Sequence, residues 1–243
     1  MKTMCSSLWR AQILSAFSIS IRTMTGKVCE RGALICVEGV DRVGKSTLAK
    51  KLVETLSNEG LEVRYVTFPN RETVIGKVID EFLKGQKLLD DHSIHLLFSA
   101  NRWEVRKNIE KQMLSGTTLI VDRYAFSGVA YSAAKNGMNF EWCKSSDIGL
   151  PKPDVVLYLT APETVLSNRS GFGDEIYERN EFQAKVKSIY ERLKDETWLT
   201  FVNDKSVEEM HSELLVAVKR TIANISGNEI EKLWLPIKKP LNL

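Results

Sequence analysis

The sequence predicts an α/β fold in which a five-stranded parallel sheet carries helices on both faces. Five short apolar runs of strand length alternate with segments whose apolar residues recur every three or four positions, as on one helix face. Strands that alternate with helices form parallel sheets covered on both sides. The distinctive polar clusters follow the predicted strands directly, at the carboxyl edge where such sheets bind ligands.

The individual elements follow from this pattern in chain order. The predicted strands cover residues 33–37, 63–68, 117–121, 155–159 and 199–202. Helices are predicted between and after them, with Asn58 and several glycines as stop signals and Asp90 or Asp91 as the cap of the longest one. They cover residues 45–58, 73–84, 90–114, 127–135, 140–146, 162–169, 181–195 and 207–225, and no element is assigned after Gly227.

A phosphate-binding motif connects the first predicted strand to the first helix. Residues 39–46 read G-V-D-R-V-G-K-S, match the pattern G-x-x-x-x-G-K-[ST], and are followed by Thr47. The glycines let successive backbone N–H groups point at phosphate oxygens, and the helix adds the positive end of its dipole. Lys45 would reach the β- and γ-phosphates, and Ser46 would bind Mg²⁺. Strand, loop and helix in this order predict the P-loop NTPase fold.

A carboxylate closes the third predicted strand. This apolar strand ends in Asp122-Arg123-Tyr124. In P-loop enzymes the aspartate at such a strand end positions Mg²⁺ and its waters. Ser46 and Asp122 are therefore the predicted metal ligands, and Lys45 is a predicted catalytic residue.

Three arginines fall where this fold would gather them around phosphates. Arg42 lies inside the loop, while Arg71 and Arg123 follow strand ends. The guanidinium fork binds phosphate oxygens bidentately, and oxygens that gain charge during phosphoryl transfer need fixed donors. One such arginine would more often be a surface residue. Three in these positions indicate phosphoryl transfer between two small molecules.

A second cluster, on the long predicted helix, could recognise a nucleobase. Phe98 and Arg102 are four residues apart and share a helix face, with His95 and Ser99 beside them. The ring would stack on a base, and the guanidinium would donate to its edge. An ordinary core aromatic with an arginine that extends to solvent is the open alternative.

Composition limits the partners of the chain. Its 243 residues suffice for one domain of about 200 residues with extensions. The 34 basic and 31 acidic residues leave a formal net charge of +3, which is too small to indicate nucleic acid. No run of 18 apolar residues occurs, so no membrane span is predicted. The four cysteines lack metal-binding spacing, which indicates a reducing compartment.

The first 30 residues have the composition of an organellar transit peptide. Basic residues and serines recur there, and no acidic residue precedes Glu30. The predicted organisation is thus a transit segment at 1–30, a P-loop domain at 31–226 and a tail at 227–243. We expect a mitochondrial long form and a short form, started at Met24, in the cytosol or nucleus. A disordered tail is the alternative reading of residues 1–30.

Five segments in this order resemble thymidylate kinase of the eukaryotic type. They are E-G-V-D-R-V-G-K-S-T at 38–47, F-P-N-R at 68–71, H-L-L-F-S-A-N-R-W-E at 95–104, D-R-Y-A-F-S-G at 122–128 and G-L-P-K-P-D at 149–154. The similarity runs from about Arg31 to Ile222. It implies transfer of the γ-phosphoryl of ATP to thymidine monophosphate (dTMP), with Mg²⁺, by a homodimer. It implies neither a nucleic-acid partner nor a membrane.

The resemblance also implies a role for each matching position. Phe98 resembles the residue that stacks on thymine, Arg102 the donor to its carbonyl, and Gln183 a polar neighbour of the base. The catalytic positions are Arg42, Lys45, Asp122 and Arg123. The ATP-binding positions are Gly39, Arg42, Val43, Gly44, Lys45, Ser46, Thr47 and Lys205, the last in the adenine-side loop. The remaining substrate positions are Phe68, Arg71 and Arg123 with Ser127 and Gly128 around the acceptor phosphate, Asp41 near the 3′-hydroxyl, and Tyr131 and Tyr177 beside the sugar.

The chain departs from the family pattern at two positions. Residues 170–176 form a small, polar, glycine-bearing segment that predicts a mobile flap, and it contains no arginine. Ile176 stands where arginine is common in the family, and Asn70 stands where glutamate is common. Because Arg42 lies in the phosphate loop, we expect it to stabilise the transition-state charge without help from the flap.

Two other functions stay open at this stage. A deoxynucleoside kinase would need a general base to deprotonate a sugar hydroxyl, and only Glu38 or Asp122 could supply it. A nucleotide-dependent binding switch would hold nucleotide without passing phosphate to a second molecule. The guanine-reading N-K-x-D sequence of regulatory GTPases is absent from the chain, which weakens the switch hypothesis.

Overall fold

The computed structural model describes residues 31–162, 180–225 and 229–235. Its sheet has five strands, all parallel, in the order β2-β3-β1-β4-β5. The strands are β1 Leu34–Gly39, β2 Val63–Thr67, β3 Thr118–Asp122, β4 Val155–Thr160 and β5 Trp198–Val202. All five predicted strands are therefore present, with bounds that differ from the prediction by one residue at most ends.

Eight helices connect or follow these strands in the described part of the chain. The helices are α1 Lys45–Asn58, α2 Val74–Leu83, α3 Asp91–Trp103, α4 Arg106–Leu114, α5 Ala125–Ala133, α6 Phe140–Ser145, α7 Asn180–Leu193 and α8 Val207–Asn224. Four of them have side-chain caps: Thr73 caps α2, Asp90 caps α3, Asn139 caps α6, and Ser206 forms a capping box with Glu209 at α8.

The central strand β1 is buried along its whole length between β3 and β4. Every residue of β3 is buried as well, as expected for strands covered on both faces. In register, Val37 of β1 lies beside Asp122 of β3, and Gly39 lies beside Leu159 of β4. The phosphate loop that follows β1 and the segment that follows β3 therefore leave the sheet at the same edge.

The single long helix predicted over residues 90–114 is wrong, because the chain breaks at Glu104 and Val105 into α3 and α4. The Glu104 carboxylate accepts hydrogen bonds from Asn101 Nδ2 at 2.6 Å and from Thr73 Oγ1 at 2.8 Å, which hold this turn against the start of α2. The two helices also bury their apolar faces in different clusters. Ile94 of α3 packs with α2, whereas Ile109 of α4 packs in the main core over the sheet.

Residues 229–235, for which the sequence predicted no element, pack against the loop before β4. Gly149 N–H donates to the Leu233 carbonyl at 3.0 Å, and Leu233 N–H donates to the Leu150 carbonyl at 2.7 Å. Lys232 pairs with Pro151 in an isolated antiparallel bridge, and Leu233 is buried. This part of the predicted tail is thus packed on the domain.

Several predictions lie outside the described residues. They are the transit segment 1–30, the helix 162–169, the flap 170–176 and Tyr177. Among the described residues no helix combines the length and apolarity that a membrane crossing needs.

Candidate active site

The phosphate loop runs from the end of β1 at Gly39 to the start of α1 at Lys45. Gly44, the residue before α1, has φ +88°, a left-handed conformation that glycine adopts without steric cost. A Cβ on Gly39 would lie 2.2 Å from the Leu159 carbonyl oxygen, so only glycine fits beside β4. Asn203, just after β5, donates from Nδ2 to the Val43 carbonyl at 2.7 Å and fixes the loop from outside.

Lys45 is buried inside this loop, where its Nζ donates to the Val40 carbonyl at 2.6 Å. Burial, together with the Arg123 charge, lowers the pKa of Lys45 to about 7. A polyphosphate would favour the charged ammonium again, because it brings negative charge to the same loop. The position suits a side chain that binds ATP phosphates.

The Asp122 carboxylate at the end of β3 meets α1. Its Oδ2 accepts hydrogen bonds from Ser46 Oγ at 2.5 Å and from Tyr65 OH at 2.8 Å. Its Oδ1 is buried and has no hydrogen-bond partner among the described residues. The unpartnered Asp122 Oδ1 and the nearby Ser46 hydroxyl are both oxygen ligands, the kind that Mg²⁺ or its bound waters prefer. The residues present therefore fit the predicted metal ion.

Two of the predicted arginines have unusual backbone conformations. Arg42 has φ +68° and Arg123 has φ +64°, a left-handed region that costs residues other than glycine about 1–3 kcal/mol. Such conformations persist where the surrounding structure holds them, and they concentrate at functional sites. Arg123 forms an ion pair with Asp41 of the loop, and its guanidinium lies 5.4 Å from the Tyr131 ring centroid.

Asp41 is held by more than Arg123. Gln183 Nε2 donates to Asp41 Oδ2 at 2.6 Å, and Asp41 N–H donates to Gln183 Oε1 at 3.1 Å. Although burial raises the pKa of Asp41, the Arg123 and Lys45 charges outweigh it, so that the pKa lies below its usual value. Gln183, predicted near the base, thus contacts the loop carboxylate.

A cleft that is open to solvent lies beside the loop. Most of the predicted substrate residues line it: Asp41, Phe68, Arg71, Phe98, Arg102, Arg123, Ser127, Gly128 and Tyr131. It is also lined by four residues that the sequence did not single out for binding, namely Pro69, Leu83, Tyr124 and Ser132. Phe98 is half-buried and packs on the cluster of Ile79 and Phe82 while it faces the cleft. Arg71 pairs with Asp80 at 2.6 Å.

Arg102 is a buried residue rather than an arginine that extends to solvent. Its side chain is 2% exposed, and its Nε and Nη2 donate to the two carboxylate oxygens of Asp147 at 3.1 and 2.6 Å. Asp147 is fully buried and also accepts from Ser99 Oγ at 2.8 Å. A Cβ on Gly128 would lie 2.6 Å from Arg102 Nη2, so the glycine makes room for the guanidinium.

Glu38, a candidate general base in the nucleoside kinase hypothesis, is buried and already accepts hydrogen bonds from four N–H and O–H groups, besides the Cys36 thiol at 3.9 Å. The donors are the N–H groups of Tyr124 and Ser127 at 2.8 and 3.1 Å, the Ser127 hydroxyl at 2.5 Å and the Tyr190 hydroxyl at 2.8 Å. It has no contact with the cleft in the described structure. Its carboxylate therefore fixes the start of α5 instead of taking a proton from a substrate.

The remaining predicted ATP residues lie on α1 and in the loop before α8. Thr47 is exposed on the first turn of α1. Lys205 is exposed and pairs with Glu213 of α8 at 2.5 Å. It follows Asn203, the residue that fixes the phosphate loop, so the predicted adenine-side loop is adjacent to the P-loop.

His95 is buried behind the cleft, where Nε2 donates to the Cys143 carbonyl at 3.0 Å and Nδ1 accepts from Ser132 Oγ at 2.8 Å. Burial and the Arg102 charge lower its pKa to about 4, against the opposing effect of Asp147.

This shift predicts a loss of stability in acid. Between pH 6.5 and about 4 the unfolded chain binds a proton at His95 that the folded chain does not, so the free energy of unfolding falls as pH falls. The slope from this group is at most about 1.4 kcal/mol per pH unit. We expect urea titrations of His95→Gln to show a smaller decrease from pH 7 to 4.5 than those of the wild type. Equal slopes would contradict this assignment.

The fold, the phosphate loop and the arginine-lined cleft together define a P-loop enzyme that transfers phosphoryl groups between nucleotides, that is, a nucleoside monophosphate kinase. A family model described as thymidylate kinase matches residues 37–214. The chain belongs to the thymidylate kinase family.

Individual relatives support this membership. The thymidylate kinase of Arabidopsis thaliana is 46% identical over 221 residues, which cover 90% of this chain and 83% of that protein. The thymidylate kinase of Homo sapiens is 44% identical over 207 residues, which cover 84% of this chain and 98% of that protein. A solved structure of thymidylate kinase from Candida albicans matches with a TM-score of 0.73 at 38% identity, and covers 79% of this chain and 94% of that one. The predicted family and fold are confirmed.

Proposed function

We propose that this protein transfers the γ-phosphoryl of ATP to dTMP and so forms thymidine diphosphate. One observation carries the proposal: Asp41, a residue of the phosphate loop, lines the same cleft as Phe98 and Arg102. A nucleotide bound in the cleft therefore has its phosphate next to the loop that binds ATP. Membership of the thymidylate kinase family supports dTMP as the acceptor.

The residues of the site act by alignment and charge. The acceptor is a phosphate that is already ionised at neutral pH, so the transfer needs no strong general base. Arg71 and Arg123 line the cleft, and in this proposal they bind the acceptor phosphate and orient it. Lys45 binds the donor phosphates, and Arg42 stabilises the charge that develops on the transferred group.

We also propose Mg²⁺ as the metal cofactor, held by Ser46 and Asp122. The support is the buried Asp122 Oδ1, which lacks a partner among the described residues, beside the Ser46 hydroxyl. When bound, the ion would neutralise charge on the phosphate oxygens. Removing Mg²⁺ with the chelator EDTA should abolish turnover. Turnover without any divalent ion would contradict the proposal.

A panel of acceptors tests the function. ADP release from ATP is measured with each nucleoside monophosphate, with thymidine, and without acceptor. We expect release that depends on dTMP. Phosphorylation of thymidine instead would favour a deoxynucleoside kinase, although Glu38, with its four donors, is unsuited to be its base. ATP binding without acceptor-dependent release would favour a binding switch.

The contribution of Phe98 is tested by Phe98→Ala. Stacking of a base on an aromatic ring is worth about 1–3 kcal/mol, so we expect the KM for dTMP to rise by about five- to 150-fold. The KM for ATP should change little. Leu83→Ala, which removes an apolar side chain from the same cleft without a stacking surface, is the matched control. If Phe98→Ala bound dTMP as tightly as the wild type, Phe98 would have only a structural role.

We further propose that the enzyme is a homodimer. The family resemblance supports this, and so does the 48% exposure of Leu96 on α3, the helix that carries Phe98. Light scattering after size exclusion should give twice the mass of the chain. The mass of one chain at micromolar concentration would contradict it.

For localisation we propose mitochondrial import of the long form and a cytosolic or nuclear location of a form started at Met24. The support is the basic, serine-containing composition of residues 1–30, without an acid before Glu30. A fluorescent reporter fused to these residues should colocalise with mitochondria. A diffuse signal would contradict the proposal.

A further inference from the structure

A tyrosine hydroxyl from β2 reaches the carboxylate that the proposed function assigns to Mg²⁺. Tyr65 lies opposite Ile120 of β3, two residues before Asp122, and its hydroxyl donates to Asp122 Oδ2 at 2.8 Å. The ring is half-buried and packs against the main core, with Lys50 Nζ 5.7 Å from its centroid. From the sequence, Tyr65 was assigned no role beyond a position in a predicted strand.

The hydrogen bonds at Asp122 are unequally divided between its two oxygens. Oδ2 receives both donors, the hydroxyl groups of Tyr65 and Ser46, whereas Oδ1 is buried with no partner in the described structure. Two donors on one oxygen fix the orientation of a carboxylate, because rotation would break both hydrogen bonds. The second oxygen is thereby held in one place, buried and without a protein donor that would compete with a metal ion for it.

We propose that Tyr65 is a positioning residue for the metal-binding carboxylate and thereby sets the affinity of the enzyme for Mg²⁺·ATP. The proposal rests on the role of Asp122 in the proposed function. Groups that hydrogen-bond to metal-binding carboxylates orient them, and their loss commonly costs about 10- to 100-fold in metal affinity or activity. Tyr65 does not itself contact the reacting atoms in this scheme.

The test is Tyr65→Phe, which removes the hydroxyl and keeps the ring. Tyr158→Phe is the matched control, because the Tyr158 hydroxyl is buried on β4 and has no partner among the described residues. Calorimetry gives the dissociation constant of ATP with Mg²⁺ and of ATP with EDTA for each protein. The dissociation constant in EDTA divided by the dissociation constant with Mg²⁺ measures the contribution of the metal to ATP binding, independently of turnover. Weaker metal binding lowers this ratio.

We expect Tyr65→Phe to weaken Mg²⁺·ATP binding by about tenfold. Binding of ATP in EDTA should change less than twofold, and Tyr158→Phe should change neither constant. The Mg²⁺ concentration for half-maximal turnover should rise in parallel. An unchanged ratio in Tyr65→Phe, or equal weakening with and without Mg²⁺, would overturn the proposal, since equal weakening is what a merely structural role gives.

Asp122→Asn separates failure of this proposal from failure of the metal assignment. If Asp122→Asn lowers the ratio and Tyr65→Phe does not, Asp122 binds the metal but Tyr65 does not position it. If neither variant changes the ratio, the proposed role of Asp122 itself is wrong. A lower ratio in both variants, with the smaller decrease in Tyr65→Phe, supports both assignments.

Discussion

Replacing Arg42 with glycine should lower kcat by about 10³-fold or more, by the magnitude seen for arginines that stabilise the transition state of phosphoryl transfer. The side chain starts from the phosphate loop, between Asp41 and Val43 and four residues before the Ser46 hydroxyl. In the proposed function it stabilises the charge that develops on the transferred group. The KM for dTMP should change much less, because the acceptor is bound by groups of the cleft.

Glycine is a suitable substitution here for a backbone reason. Arg42 has φ +68°, which glycine adopts freely, so Arg42→Gly should have a Tm equal to or above that of the wild type. A loss of activity could then not be attributed to unfolding. Arg42→Lys keeps the charge but not the fork and should recover only part of the activity. A loss below tenfold in Arg42→Gly would remove Arg42 from the catalytic residues.

Local sequence patterns predicted most of the fold because local rules govern those features. The strands are continuous apolar runs since both faces of the sheet are covered, and the phosphate loop is a contiguous motif between a strand and a helix. The break between α3 and α4 was missed because its cause is distant in sequence. Glu104 is held by Thr73, and no periodicity within residues 90–114 reports that contact.

The site divides in the same way. Arg71, Phe98 and Arg123 could be placed from their positions after strand ends and on a helix face, and the structure brings them to one cleft. The residues that hold these side chains in position could not be predicted, because each contact joins segments that are distant in sequence. Arg102 meets Asp147, 45 residues away, and Asn203 meets the Val43 carbonyl, 160 residues away. Asp147 lies two residues before the G-L-P-K-P-D segment at 149–154, so no motif singled it out.

The buried pair of Arg102 and Asp147 gives the largest expected effect on stability. In Asp147→Ala the guanidinium stays buried without its counter-charge, which should lower the free energy of unfolding by about 3–5 kcal/mol. Urea unfolding measures this loss. Glu208→Ala is the matched control, because it removes the acid of an exposed, solvent-screened pair with Lys51 and should lower the free energy of unfolding far less.

The same pair should also control recognition of the acceptor base. Asp147 engages Nε and Nη2 of Arg102, which fixes the guanidinium at the wall of the cleft, so its removal should raise the KM for dTMP more than it lowers kcat. The double variant Arg102→Met with Asp147→Leu separates the two roles. Replacing both charges with apolar groups should recover most of the stability, because no unpaired charge remains buried, while the KM for dTMP stays high. If the double variant regained dTMP affinity together with stability, the pair would only support the fold, and the base would be recognised by other groups of the cleft.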